Sequence, residues 1–182
     1  MNTVNFNLPT TLTLIRIILI PFFIIITPQN PLLGAGIFIF ASFTDFFDGY
    51  LARRSGQITK LGIILDPIAD KFLVISALIV LVDMVKISAW IAILIVVREF
   101  LVTGLRGFAL SKKIVMPAEA GGKVKTVTQM ISIVLLLLPG GIGIIDFYDI
   151  GLVLIYIAVA LTLLSGFQYT ILFLRHTQSD TT

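Results

Sequence analysis

An all-α integral membrane protein with six transmembrane helices is the fold class this chain predicts, on three observations. Of its 182 residues, 58% are hydrophobic and only 13% are charged, where a soluble domain sits nearer half and a quarter. The mean hydropathy is +1.08. The apolar residues fall in six long runs parted by turn and charge signals, enough to fill almost the whole chain with spans of about 20 residues. Disorder, a coiled coil and a soluble enzyme are excluded. The chain reads as one membrane domain over 1–182, with a polar, frayed tail at 176–182.

The first segment runs from about Thr11 to Thr27 and carries Pro21. With no Lys or Arg before Arg16 and no small-residue cleavage site after the apolar run, it reads as a retained span and not a signal peptide. The second runs from Pro31 to Leu51, after the turn-like Gln29-Asn30-Pro31. The third spans Leu61–Val85, the fourth Ser88–Leu110, the fifth Gly122–Leu138 and the sixth Gly151–Leu174. Ile and Val abound, but runs of this length without strict alternation favour spanning helices over strands.

Charge placement orients the chain. Arg53, Arg54 and Lys60 follow the second segment, Lys112, Lys113, Lys123 and Lys125 lie around the fourth connection, and Arg175 follows the sixth segment. The opposite side holds Lys86 with Asp83, Asp146 and Asp149. Both termini are therefore expected in the cytoplasm, and Lys112 and Lys113 read as orientation charges near anionic headgroups. The chain has no cysteine, so no disulfide framework, thiolate site or thiol nucleophile is available. The net charge of +3 is scattered through apolar sequence and is no nucleic-acid signature.

Four aspartates are out of place. Asp45 and Asp48 are three apart near the end of the second segment; Asp66 and Asp70 are four apart near the start of the third. Each pair shares a helix face. A carboxylate in the hydrocarbon centre costs roughly 2.5–3.5 kcal/mol, so four without compensation would cost on the order of 10 kcal/mol, comparable with a domain's net stability. Asp45 lies about 14 residues into its helix, roughly 21 Å along it, close to the cytoplasmic boundary where Asp66 also sits. The short connection makes the two helices antiparallel neighbours, and all four acids converge at one depth.

Four such acids cannot all stay ionised without a counter-charge. Hard divalent cations held by oxygen ligands supply it, with Mg2+ favoured where phosphate is present. Gly49 and Ala52 share the face of Asp45 and Asp48, and Gly62 and Ala69 that of Asp66 and Asp70, leaving room for a ligand beside the ions. Arg53 offers a bidentate donor to a phosphate oxygen. A single acid near a helix end is ordinarily solvated or paired, and Lys71 or Arg54 could serve; four at these spacings with glycine between them are not explained that way.

The run Asp45-x2-Asp48-Gly49-x2-Ala52-Arg53-x8-Gly62-x3-Asp66-x3-Asp70 resembles the signature of the CDP-alcohol phosphotransferases at every fixed position and gap. Asn7–Arg16, Arg98–Arg106 and Gly122–Thr126 resemble the bacterial members that make phosphatidylglycerol phosphate. The resemblance implies transfer of a phosphatidyl group from CDP-diacylglycerol to glycerol 3-phosphate, releasing CMP. It implies two divalent cations, Mg2+ or Mn2+, held by Asp45, Asp48, Asp66 and Asp70. Asp70 is then also the base for the acceptor hydroxyl, and Gly49, Ala52, Arg53 and Gly62 form the donor site, with Gly49 and Arg53 against the cytidine diphosphate. It further implies a homodimer in the bacterial cytoplasmic membrane, with the active site facing the cytoplasm. Members with other acceptors (inositol phosphate, serine, phosphatidylglycerol) share the core signature. An Asp-rich intramembrane prenyltransferase and a cation transporter are the competing classes; the Gly49-x2-Ala52-Arg53 block argues against the first and the absence of a visible repeat against the second.

Arg98, about ten residues into the fourth segment, demands an explanation at that depth. A phosphomonoester carries roughly −1.5 to −2 charges, and Arg98, Arg106 and Lys125 converging from the fourth and fifth segments would suit it. Lys123 and Lys125 cannot both face one pocket, so Lys125 is preferred and Lys123 stands second. The alternative is that Arg98 pairs with Glu99 or a neighbouring helix for structure alone, although Glu99 is expected to point elsewhere on the helix. Arg16 either snorkels or meets the nucleotide.

Overall fold

The computed structural model describes residues 8–55, 60–111 and 122–179. It holds six helices and one tiny hairpin: α1 (Leu8–Ile26), α2 (Pro31–Ser55), α3 (Lys60–Asp83), α4 (Ala89–Ser111), α5 (Gly122–Leu137), β1 (Gly141–Ile142), β2 (Ile145–Asp146) and α6 (Phe147–Ser179). Each expected segment corresponds to one helix. Helix α6 continues through 176–179, so the tail is helical there instead of frayed. No Gly or Pro lies between Phe167 and Ser179 to stop it.

The turns show why the helices begin and end where they do. Asn30 caps α2 by accepting Leu33 N–H at 3.1 Å on Oδ1, and Pro31 takes the first helical position, where a missing N–H costs least. After α3, Lys86 N–H reaches back to Leu81 O at 2.8 Å and Val85 N–H to Val82 O at 3.0 Å. This is the paired closure that needs a left-handed residue between helix and exit. Val85 fills that position at φ 57°.

Gly143 starts the two-residue loop of the hairpin at φ 65°, as a II′ turn requires, with Ile142 opposite Ile145. Asp146 Oδ1 then accepts Tyr148 N–H at 3.0 Å and starts α6 four residues before Gly151. The sequence reading carried no signal for this hairpin.

Helix α1 packs on α2 and α3, α6 packs on α4 and α5, and α2, α3 and α5 join the two halves. The apolar core includes Phe23, Phe38, Leu73, Leu78, Leu81, Ile95, Ile133, Leu136 and Ile155. The Phe23 and Phe38 rings meet across α1 and α2 at 6.0 Å. Small residues let backbones approach: Ser132 Oγ donates to Gly151 O at 2.7 Å, and a Cβ on Gly151 would stand 2.9 Å from Leu136 Cγ. At the far end from the aspartates, Tyr148 donates to Lys86 O at 3.0 Å, and the Lys86 ammonium sits over its ring at 5.1 Å. The α3–α4 turn and the start of α6 are thus joined.

Outward faces are apolar. Trp90 (72%), Phe167 (68%) and Phe43 (59%) are among many large exposed hydrophobic groups. Among the described residues, one helical stretch, Phe147–Ile171, is long and apolar enough to cross a membrane, and Thr11–Ile26, Pro31–Thr44 and Val124–Leu137 are shorter apolar helices. Arg16 lies on α1 with no exposed surface. Its side chain therefore does not snorkel outward, because the helices close over it.

Candidate active site

Helices α2 and α3 pack against each other. Asp45, Asp48, Gly49, Ala52 and Arg53 lie on the second half of α2, and Gly62, Asp66 and Asp70 on the first three turns of α3. Lys123 is the second residue of α5. The side chains of these residues other than Asp70 lie outside the described residues, as do residues 112–121 with Lys112 and Lys113. Among the described residues there is no group of three or more His, Cys, Asp or Glu side chains. The backbone placement and the donor chemistry suit hard cations: two carboxylates per helix, at helical spacing, on helices in contact.

Asp70 is half-buried and lines a cleft of about 40 Å³. Asp70, Lys71, Val74, Ile75 and Leu78 form its α3 wall, Ile95, Val96 and Glu99 its α4 wall, and Thr126 and Gln129 its α5 wall. The cleft is therefore apolar at depth and polar toward Asp70. The α3 and α4 walls are pinned where Lys71 Nζ donates to Thr103 Oγ1 at 2.6 Å, while Thr103 donates to Glu99 O at 2.7 Å. Lys71, considered above as a partner for the acids, thus reaches α4.

Glu99 is the hub. Its Oε1 accepts Arg98 NH1 at 3.3 Å and also pairs with Lys125 Nζ. The expectation that Glu99 points elsewhere is corrected: a long carboxylate on one residue and a long guanidinium on the next can curl toward each other around the helix. Arg98 also crosses to α6, where Nε donates to Thr162 O at 3.0 Å and NH2 donates to Ser165 Oγ. Gly166 makes room for it, since a Cβ there would stand 3.0 Å from Arg98 Cγ. These contacts are of the kind expected if Arg98 serves structure. Its side chain is 8% exposed and that of Lys125 is 6%, against 25% for Glu99, so the carboxylate neutralises two nearly enclosed cations.

Arg106 lies two turns from Arg98 on α4 and is exposed. It donates to Tyr169 Oη at 3.3 Å and lies 5.6 Å from the ring centroid. Arg98, Arg106 and Lys125 are thus spread along α4 and α5. The sequence reading gave no site role to Thr126 or Tyr169, and considered Glu99 only as a structural partner of Arg98. Thr162, Ser165 and Gly166 make a small polar stripe on α6, the pattern that marks a buried interhelical partner.

A family model described as CDP-alcohol phosphatidyltransferase matches residues 6–164, and the chain belongs to that family. Within it, the chain is similar to proteins named CDP-diacylglycerol–glycerol-3-phosphate 3-phosphatidyltransferase. The protein of that name from Rickettsia bellii (strain RML369-C) is 42% identical over 168 residues, covering 90% of this chain and 93% of the relative. That from Bacillus subtilis (strain 168) is 42% identical over 183 residues, with coverage of 90% and 93%. That from Shigella flexneri is 39% identical over 174 residues, with coverage of 91% and 93%.

Proposed function

We propose that this chain transfers the phosphatidyl group of CDP-diacylglycerol to glycerol 3-phosphate, giving phosphatidylglycerol phosphate and CMP. The observation that carries the reading is the cleft lined by Asp70 on α3 and by Glu99 on α4, with Lys125 of α5 paired to Glu99. The names of the bacterial relatives support the donor and the acceptor.

Asp45, Asp48, Asp66 and Asp70 would hold two divalent cations, Mg2+ or Mn2+. Bound there, such ions neutralise charge on the leaving CMP and on the phosphorus under attack. Gly49 and Arg53 would lie against the cytidine diphosphate, beside Ala52 and Gly62. The terminal hydroxyl of glycerol 3-phosphate attacks the phosphorus that carries the diacylglycerol; a new P–O bond forms, the P–O bond to CMP breaks, and CMP leaves with its electron pair. Asp70 takes the hydroxyl proton. Lys125 and Arg106 meet the acceptor phosphate, with Lys123 beside them. Lys125 exchanges the Glu99 carboxylate for the incoming phosphate, and Arg98 holds Glu99 and α6 in place. The protein thus contributes mainly position and charge.

The chain acts as one membrane domain and as a homodimer, with six helices crossing the bilayer. Both termini and the site face the cytoplasm of a bacterial cell, and the cytoplasmic membrane supplies the lipid donor. The large outward Phe, Ile, Leu and Trp side chains support lipid contact. The joining of Lys86 to Tyr148 puts the acidic, lysine-poor turns at one end, which supports the orientation.

The test is CMP release by the purified protein in detergent with Mg2+, CDP-diacylglycerol and glycerol 3-phosphate. CMP formation that depends on both substrates is expected. No CMP with any alcohol acceptor from folded protein would overturn the reaction; CMP with inositol phosphate or serine but not with glycerol 3-phosphate would overturn the acceptor alone.

A further inference from the structure

Between α5 and α6 the chain turns back through Leu138-Pro139-Gly140-Gly141-Ile142-Gly143-Ile144-Ile145 before it reaches Asp146. No side chain in that run is polar or charged. Turns that meet bulk water are dominated by Gly, Pro, Asn, Asp and Ser; here large aliphatic groups take the places of the polar ones. Ile144, at the tip, is 103% exposed and Ile145 is 54% exposed, so nothing else in this chain covers them.

The surroundings identify what does. Helices α5 and α6 pack together and their ends stand level, with Ser132 donating to Gly151 O and Leu136 against Gly151. Helix α5 has 16 residues, about 24 Å of helix, which falls short of a hydrocarbon core of roughly 30 Å. The apolar hairpin begins where α5 stops. Tyr148 joins this end to Lys86, and beside Lys86 the α3–α4 turn and the start of α4 present Val85 (86% exposed) and Trp90 (72% exposed). Trp favours the boundary between membrane and water. Exposed apolar groups on the helix sides thus extend onto this end of the bundle.

The hairpin's own bonding sets its depth. Gly141 pairs with Asp146 and Ile142 with Ile145, and Phe147 N–H donates to Gly140 O at 3.0 Å. A two-stranded ribbon still has two unpaired outer edges, which hydrocarbon does not accept and hydrated headgroups do. Asp146 and Asp149, both exposed, keep its base in reach of water.

From this, and resting on the reading that the helices cross the bilayer, we infer that the α5–α6 hairpin is a lipid-surface anchor. Ile144 and Ile145 insert at the headgroup–acyl boundary of the leaflet opposite the aspartates. The anchor fixes the depth of α5 in the bilayer, and with it the level of Lys125 at the other end of that helix.

The chain has no cysteine, so a single introduced thiol carries a single label. The test places an environment-sensitive maleimide fluorophore on Ile144→Cys in the full-length chain, in nanodiscs of phosphatidylglycerol and phosphatidylcholine. Two reference sites are Gln29→Cys, in the exposed α1–α2 turn, and Ile157→Cys, 44% exposed near the middle of the α6 span. The quenchers are aqueous iodide and phospholipids carrying a nitroxide either near the headgroup or near the end of the acyl chain. At Ile144 the shallow nitroxide should cause the largest loss of emission and iodide the smallest, with emission shifted to the blue of the Gln29 label. Iodide should quench most at Gln29, and the deep nitroxide most at Ile157. Ile145→Cys, on the same hairpin, gives the same reading if Ile144→Cys misfolds. A hairpin label that iodide quenches as fully as at Gln29 would put the tip in water. One shielded from every quencher would put it against protein, such as a second copy of the chain, and one quenched most by the deep nitroxide would put it inside the hydrocarbon. Each of these overturns the inference and leaves the crossing helices standing, provided the Ile157 label answers to the deep nitroxide. An Ile157 label quenched by iodide and not by lipid would instead overturn the crossing, and the anchor with it.

Discussion

Removing the Glu99 carboxylate should loosen the protein more than any other single change near the cleft. Glu99→Ala leaves the Lys125 ammonium, 6% exposed, without the carboxylate that now meets it. Arg98 keeps its bonds to Thr162 O and Ser165 Oγ, so most of the loss falls on Lys125. Breaking one side of a buried pair costs about 3–5 kcal/mol. Glu99 is itself 25% exposed, which admits some solvent and places the cost near the lower figure, about 3 kcal/mol.

A chain of this size shifts its midpoint by roughly 2–4 °C per kcal/mol, so a fall of about 6–12 °C is expected in thermal unfolding followed by circular dichroism in detergent. The double variant Glu99→Ala/Lys125→Met should recover most of it, because the orphaned charge is gone. A Glu99→Ala midpoint within about 2 °C of wild type, or a double variant no better than the single, would refute the view that this carboxylate neutralises a buried cation.

Three further outcomes are expected. Gly34→Ala should destabilise by about 1–3 kcal/mol, since its Cβ would stand 2.8 Å from the Cβ of buried Thr27, whereas Gly36→Ala, with nothing within 4 Å, should stabilise by up to about 1 kcal/mol; equal midpoints in thermal unfolding would contradict the α1–α2 contact. Val85→Asn should raise stability by about 1 kcal/mol, because a β-branched residue is held left-handed at φ 57° and Asn tolerates that region; an unchanged or lower midpoint would count against strain there. Asp70→Asn should cut CMP release by roughly 10²–10⁴-fold, and a chelator should abolish release in the wild type until Mg2+ is restored; full turnover in the variant would remove Asp70 from proton transfer.

The existence of the six helices was legible because a helix satisfies its own backbone, so a long apolar run already contains its hydrogen-bond partners. Asn30-Pro31 starts α2 where the local chemistry says it should. The α5–α6 hairpin was not legible, because Gly143 followed by Ile144 signals a turn only once short strands flank it. Nor was the full length of α6, which begins at the Asp146 cap and runs on to Ser179 for want of a breaker.

The acid pairs could be read because each lies within one helix, where three- and four-residue spacing defines a face. Glu99 could not. Its partner Lys125 is 26 residues away, and Arg98 meets Ser165 across 67. Long side chains choose partners by which helices are neighbours, and hydropathy carries no information about neighbours.

The amino-acid sequence by itself determined the helices, their apolar faces, the four aspartates and the family, because all of these rest on short-range periodicity or on a contiguous motif. Only the tertiary structure decided that Arg98 turns to α6, that Glu99 collects two cations and that Gln129 borders a cleft. The physical reason is that a buried polar group is settled by the atoms that enclose it, and those arrive from other helices once the bundle has packed.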